Sequence, residues 1–159
     1  MNITILCVGK IKEKYFRDAL AEYEKRLARY CKFNIVEVPD EECPENASEA
    51  EVDAVKRKEG ERLLSKIPGN SYVITLEIKG KKKDSISFAK GLESLMVNGI
   101  SDITFIIGGS VGLSLDVSKR ANEKLSFSDM TFPHQLMRVI LAEQIYRAER
   151  ILHHEPYHK

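Results

Sequence analysis

Four groups of residues in this 159-residue chain have types and spacings that chemistry can use. The first is Gly108-Gly109-Ser110-Val111-Gly112, which directly follows an apolar run. Bare backbone of this kind lets a flat ligand approach closely. A dinucleotide loop needs G-x-G-x-x-G after the first strand, with an acid about 20 residues on. Here the spacing is G-G-x-x-G after the fourth strand-like run, so a phosphate cradle is a weak reading and a simple strand-to-helix turn is the plain one.

The second group is Ser126-Phe127-Ser128-Asp129-Met130-Thr131-Phe132-Pro133-His134. Small polar residues stand here among Phe127, Met130 and Phe132, which either anchor the core or enclose a ligand. The third is Glu143, Arg147 and Arg150, at i, i+4 and i+7 of a helical pattern. It reads as a solvated, ion-paired seam worth a few tenths of a kcal/mol or as a ligand-facing groove. The fourth holds all four histidines, His134, His153, His154 and His158. No cysteine or acid stands at zinc-ligand spacing from them, so no metal is expected. Cys7 reads as a small buried hydrophobe, and Cys31 and Cys43 have no histidine near them in sequence, which gives thiol catalysis little support.

These groups need a frame. Apolar runs over 3–8, 33–38, 72–78, 103–107 and 124–127 predict strands. Phe16, Leu20, Tyr23 and Leu27 predict an amphipathic helix over 12–30. Ser48 with Glu51 is a capping-box signature for a helix to about Ile67. Asp84 or Ser85 can cap a helix to about Val97, and a short helix falls near 116–122. Pro133 opens a long one from His134 to about His153. Lys79-Gly80-Lys81-Lys82-Lys83 reads as a basic turn, and Asp40 to Asn46 as an acidic surface loop. Strands alternating with helices predict one α/β domain over 1–159 with a largely parallel sheet. Ligands of such sheets bind beyond the strands' carboxyl ends, which selects 76–80, 108–112 and 127–134. The last helix is apolar nearly all round, which points to burial on several sides and a subunit interface.

Composition excludes several classes. Hydrophobic residues at 43% and charged ones at 31% are ordinary for a globular chain. No apolar run reaches the roughly 18 residues of a membrane span, and no basic leader precedes the first strand. Three cysteines without a disulfide or zinc spacing fit a reduced, cytoplasmic setting. A net charge of +1 argues against strong, indiscriminate nucleic-acid binding, although Lys79, Lys81, Lys82 and Lys83 gather basic charge near one strand end.

Taken together, Thr75-Leu76-Glu77-Ile78-Lys79-Gly80-Lys81, Phe105 to Leu113, Leu125 to Arg138 with its P-H-x-x-x-R, Glu143-Gln144-Ile145-Tyr146-Arg147-Ala148 and the terminal Pro156-Tyr157-His158 closely resemble the RlmH-type ribosomal RNA methyltransferases. Gly9 to Tyr15 and Val38-Pro39-Asp40-Glu41 match as well, so the resemblance spans the chain. It implies a SPOUT-class fold of five or six strands whose C-terminal part forms a trefoil knot. S-adenosylmethionine is implied as methyl donor, and N3 of a pseudouridine in helix 69 of 23S rRNA, in the assembled ribosome, as acceptor. A homodimer is implied too. Carried over by position, the cofactor residues are Leu76, Gly108, Phe127, Ser128, Asp129, Met130, Thr131 and Phe132. His134, Arg147, Tyr157 and His158 are the candidates for the methyl-transfer chemistry, with the tail of one subunit completing the pocket of the other.

Three positions depart from the family pattern. His153-His154 stand where Arg-Gly is usual, Asp84-Ser85-Ile86-Ser87 lacks a downstream acid, and Glu149 replaces a frequent aromatic. Two alternatives stay open at this stage. One is a SPOUT-like protein that binds cofactor or ribosome without turnover; the other, resting on the glycines alone, is a nucleotide-dependent oxidoreductase.

Overall fold

Alternation along the strands sets the architecture. Ile3, Ile5 and Cys7 point to one side and Leu6 and Val8 to the other, and all are buried. A strand covered on both faces belongs inside a parallel sheet with helices on each side. The computed structural model describes all of residues 1–159 and has that form. Its elements are β1 (Asn2–Val8), α1 (Lys14–Leu27), β2 (Lys32–Val38), α2 (Glu49–Lys66), β3 (Tyr72–Lys82), α3 (Ser85–Val97), β4 (Asp102–Ile107), α4 (Leu115–Arg120), β5 (Glu123–Ser126) and α5 (His134–Leu152). The five strands are ordered β2-β1-β4-β3-β5, and every pairing is parallel.

Two cores follow from the two faces. Leu20 and Leu27 of α1, Phe88, Ala89 and Leu92 of α3, and Leu141 and Ile145 of α5 cover the side that Ile3, Ile5 and Phe105 present. Leu63 of α2 and Val117 of α4 cover the other, against Leu6, Val8 and Ile106. The capping box at Ser48 and Glu51 forms as expected, and Asp84 caps α3 by accepting the Ser87 N–H at 2.7 Å. That hydrogen bond favours the anion and lowers the Asp84 carboxyl below its usual range.

Strand β3 departs from expectation. Of the segment 79–83, read as a turn, residues 79–82 instead continue the strand. Leu76 and Lys81 both register with Leu125 of β5, so residues 77–80 bow out between them as a bulge. Gly80 permits this, since a Cβ there would stand 2.8 Å from the Lys124 and Leu125 backbone.

Helix α5 is held at its start by a buried charge. Arg138 has no exposed surface. It donates to the Val8 carbonyl at 3.0 Å and the Gly9 carbonyl at 2.8 Å, and it pairs with Glu37 at 2.7 Å. At the other end the tail turns back through His154, whose φ is +56°. Left-handed backbone of this kind is costly for a residue with a Cβ. Glu155 then fixes the tail, pairing with Arg150 and accepting from the Tyr30 hydroxyl at 2.7 Å.

Two stability measurements test these points. Arg138→Ala should destabilise the fold by about 3 kcal/mol in urea unfolding, since it strands two buried carbonyls. Glu37→Gln should cost about 1 kcal/mol or less, because the Glu37 side chain is 36% exposed and rehydrates. His154→Gly should raise the thermal midpoint by about 1–4 °C, relief of left-handed strain outweighing the glycine's added chain entropy.

Candidate active site

The bowed segment of β3, the glycine run after β4 and the crossing segment after β5 meet over the carboxyl ends of the strands. They enclose a cavity of about 350 Å³, a size typical of small-molecule sites. The three segments selected by the strand-end rule therefore converge on one place. Leu76 lines it from β3, Gly108, Gly109 and Gly112 from the loop after β4, and Phe127, Ser128, Met130, Thr131 and Phe132 from the crossing segment. His134 and Met137 close it from α5. Asp129 is the exception among the expected cofactor residues: its side chain is 80% exposed and pairs with Lys82 at 2.5 Å, outside the cavity.

Glycine matters at two of these positions. A Cβ on Gly108 would lie 3.0 Å from the Gly112 carbonyl carbon and 3.1 Å from the Leu113 side chain, so any larger residue must push the loop open. Gly112 has φ +85°, and its N–H closes the turn on the Gly109 carbonyl at 3.1 Å. The aromatic question also resolves. Phe127 packs on the core and lines the cavity, whereas Met130 and Phe132 are exposed at the cavity and do not anchor the core.

His134 lines this site and carries a ring nitrogen that nothing in the chain satisfies. Its Nδ1 is buried without a partner. Burial, aided by the positive charge of Arg138, holds the His134 imidazole below its ordinary range. It is therefore mostly neutral near pH 7 and able to accept a proton.

The other three chemical candidates gather elsewhere. Arg147 pairs with Glu143, lies 4.6 Å from the Tyr157 ring centre, and approaches His158 Nδ1 at 3.3 Å. The Tyr157 hydroxyl donates to Glu143 at 2.9 Å, and burial beside that carboxylate raises its proton affinity, so it stays a phenol. None of Arg147, Tyr157 and His158 borders the first cavity. His158 borders a second cavity of about 420 Å³, with Ser85 and Gln144, which shares Leu125 and Phe127 with the first. Thirteen residues separate His134 from Arg147 on α5, about 20 Å of helix axis. Within one chain, the tail lies on its own helix and lines only the second cavity, which adjoins the first at Leu125 and Phe127.

Several features escape a sequence reading. Leu113, just past the selected 108–112, also lines the cavity, and so do Ile78 and Lys79 inside the selected 76–80, although the bulge that brings them there is unexpected. Glu77 binds Thr75 at 2.6 Å and Ser118 at 3.0 Å, pinning α4 to β3 beneath the site. The basic run beside the site is partly neutralised, Lys82 by Asp129 and Lys83 by Glu123. The cysteine expectation stands: burial pushes the Cys7 thiol up to about 12 and the Cys31 thiol to about 11, which makes both poor nucleophiles. Glu149, marked in the sequence as a replaced aromatic, is buried and faces His153 at 3.7 Å, away from both cavities.

Known proteins give this geometry a context. The family described as "Predicted SPOUT methyltransferase" matches residues 1–158. The chain is 60% identical to Ribosomal RNA large subunit methyltransferase H of Limosilactobacillus reuteri, and 58% identical to the protein of that name from Clostridium perfringens. Both alignments cover all of either chain. Among solved structures, a probable methylase family protein from Haemophilus influenzae Rd KW20 superposes with a TM-score of 0.54 at 11% identity, over 99% of this chain and 70% of that one. The tRNA (m1G37) methyltransferase of Aquifex aeolicus gives 0.51 at 12% identity, over 92% and 70%. At such identities the two structures speak for the fold alone. With a parallel sheet flanked by helices, a cavity over its strand ends and a family match along almost its whole length, the chain belongs to the SPOUT methyltransferases.

Proposed function

We propose that this protein methylates large-subunit ribosomal RNA, using S-adenosylmethionine bound in the cavity over the ends of β3, β4 and β5. The finer target is N3 of a pseudouridine in helix 69, in the assembled ribosome of the bacterial cytoplasm. The observation that carries the reading is the cavity itself, found where the sequence places the cofactor residues of a chain 60% identical to a Ribosomal RNA large subunit methyltransferase H. Its lining suits that cofactor. Leu76, Leu125, Phe127, Met130 and Phe132 offer apolar walls, and the glycine run offers bare backbone. The cofactor has no phosphate, so G-G-x-x-G is not asked to cradle one.

When bound, S-adenosylmethionine supplies an electrophilic methyl group on a sulfonium. The chain's own residues must then handle a proton, because an imide N3–H has to be lost for its nitrogen to attack well. His134 is the group in the cavity with a free nitrogen in its neutral form. Arg147 and His158 form the second polar centre, where a cation can offset developing negative charge, and Tyr157 supplies a ring on which a base can stack. The roughly 20 Å of helix between the two centres supports a homodimer in which the tail of one subunit serves the cavity of the other. Ile78, Met130 and Phe132 are exposed around the cavity, and they supply apolar surface for such a contact. The knotted C-terminal part belongs to the same proposal, supported by a sheet order that returns the chain from β5 across β3 and β4 to β1.

Two variants test it. Gly108→Val should lower S-adenosylmethionine affinity by at least about tenfold in calorimetry, because the loop must open around the added side chain; unchanged affinity would place the cofactor elsewhere. Deleting Tyr157 to Lys159 should leave cofactor binding intact and abolish methylation of ribosomes. Normal methylpseudouridine in helix 69 after that deletion, read by mass spectrometry, would sink the role given to the tail. The same measurement on a knockout strain separates an enzyme from a cofactor-binding protein without turnover.

A further inference from the structure

Helix α2 packs against the glycine run from behind, on the side away from the cavity, and it does so through two adjacent residues. Gly60 is the first. A Cβ there would collide with the Ser114 hydroxyl and stand 3.1 Å from the Ser114 Cβ. Ser114 is the N-cap of α4, accepting the Val117 N–H, so the absence of a side chain at Gly60 seats the far end of the loop on α2.

Glu59 is the second residue. It is a carboxylate only 4% exposed, in a helix whose other charges face solvent or the helix edge. Its Oε2 accepts the Glu41 N–H at 3.0 Å, while Oε1 is shut off from solvent and has no partner. A buried acceptor without a donor costs free energy, and native proteins keep few of them. Both oxygens lie against Gly109: a Cβ on that glycine would stand 3.2 Å from Oε1 and 3.4 Å from Oε2. The cavity borders the same glycine. The Gly112 N–H is already spent on the Gly109 carbonyl, and the turn's other N–H groups do not reach the free oxygen in this structure. Burial raises the Glu59 carboxyl above its ordinary range, and the Glu41 N–H works against that rise.

We propose that Glu59 is a positioning residue for the cofactor: its buried carboxylate backs Gly109, and its unpartnered Oε1 takes up an N–H of the Gly109-Ser110 turn when the cofactor seats on that wall. With Gly60 it clamps the loop at both ends, by a side chain at one and by the lack of one at the other. Glu59 touches neither cofactor nor substrate; it acts through the loop. The inference rests on reading the cavity as the S-adenosylmethionine site.

The test uses the full chain with Glu59→Ala and Glu59→Gln. Calorimetry gives the S-adenosylmethionine affinity, amide hydrogen exchange reports residues 108–114, and steady-state methylation of ribosomes separates kcat from cofactor KM. E59A should weaken cofactor binding by about tenfold, the scale of one hydrogen bond to a charged group. Its kcat at saturating cofactor should stay within about twofold, and exchange should quicken at 109–113 while β1 and β4 stay protected. E59Q keeps the volume but has one acceptor for two donors, so it should weaken binding by about threefold. Should E59A not fold, E59Q decides by the same readouts. Wild-type affinity and wild-type exchange at 109–113 in a folded variant would overturn the proposal. Failure of the unaltered chain to bind S-adenosylmethionine would instead overturn the reading of the cavity.

Discussion

The placement of the whole site follows from the burial of one guanidinium. Parallel strands end in carbonyls that their neighbours leave unpaired, and each must find a donor. Arg138 answers two of them, at Val8 and Gly9, through its Nη2, while Nη1 of the same planar fork takes Glu37. Burying a charge costs several kcal/mol unless it is paired and hydrogen-bonded, so α5 has one favourable register over the end of β1. The sheet order then imposes the rest. Strand β5 stands at the edge beyond β3, and β1 lies on the far side of β4. To deliver Arg138 the chain must cross the ends of β3 and β4, and residues 127–133 become the roof of a cavity whose floor is the strand ends.

Charge is managed locally rather than globally. The cations around the site mostly have acids beside them: Lys82 with Asp129, Lys83 with Glu123, Arg147 with Glu143, Arg150 with Glu155. Paired charges a few ångströms apart cast little field beyond a screening length of about 8 Å at physiological ionic strength. Such pairing weakens the long-range pull on polyanions without removing it, since Lys79 and Lys81 beside the cavity have no acid partner. Under the proposed function, recognition then has to come mainly from shape and short-range contact with a folded RNA particle.

How much of this the sequence discloses depends on whether a residue's neighbours are close in the chain. Strands buried on both faces read as apolar runs, and helix starts carry their caps within three residues, so Ser48 and Glu51 marked α2 and the strand-end rule marked all three walls of the cavity. The excursion at 77–80 was invisible, because Lys79 to Lys83 looks like any basic turn and pairing resumes only through contact with Leu125, more than 40 residues away. Asp129 stood among cofactor positions by family alignment, yet a charged side chain beside an exposed lysine gains more by facing water than by entering an apolar cavity. Arg138 read as a motif letter and Glu59 as one acid among many in a polar helix. Their burial is a property of the packed layers, set by residues far away in the chain.

The same helix that anchors the site also divides it. Helix α5 puts His134 into the cavity and carries Arg147 more than three turns further on, where Tyr157 and His158 fold back onto it. Under the proposed function, binding and proton acceptance sit at one end, and the cation with its aromatic neighbour at the other. A reacting atom is only a few ångströms across, so the proposal must bring both groups to it, and a second copy of the chain is one way to do so. An antiparallel pair of α5 helices would set the start of each beside the far end of the other, using the half-buried apolar residues Leu136, Val139 and Ile140 that one chain's packing leaves partly uncovered. Under the proposed function, the division within one chain would then be what a homodimer resolves.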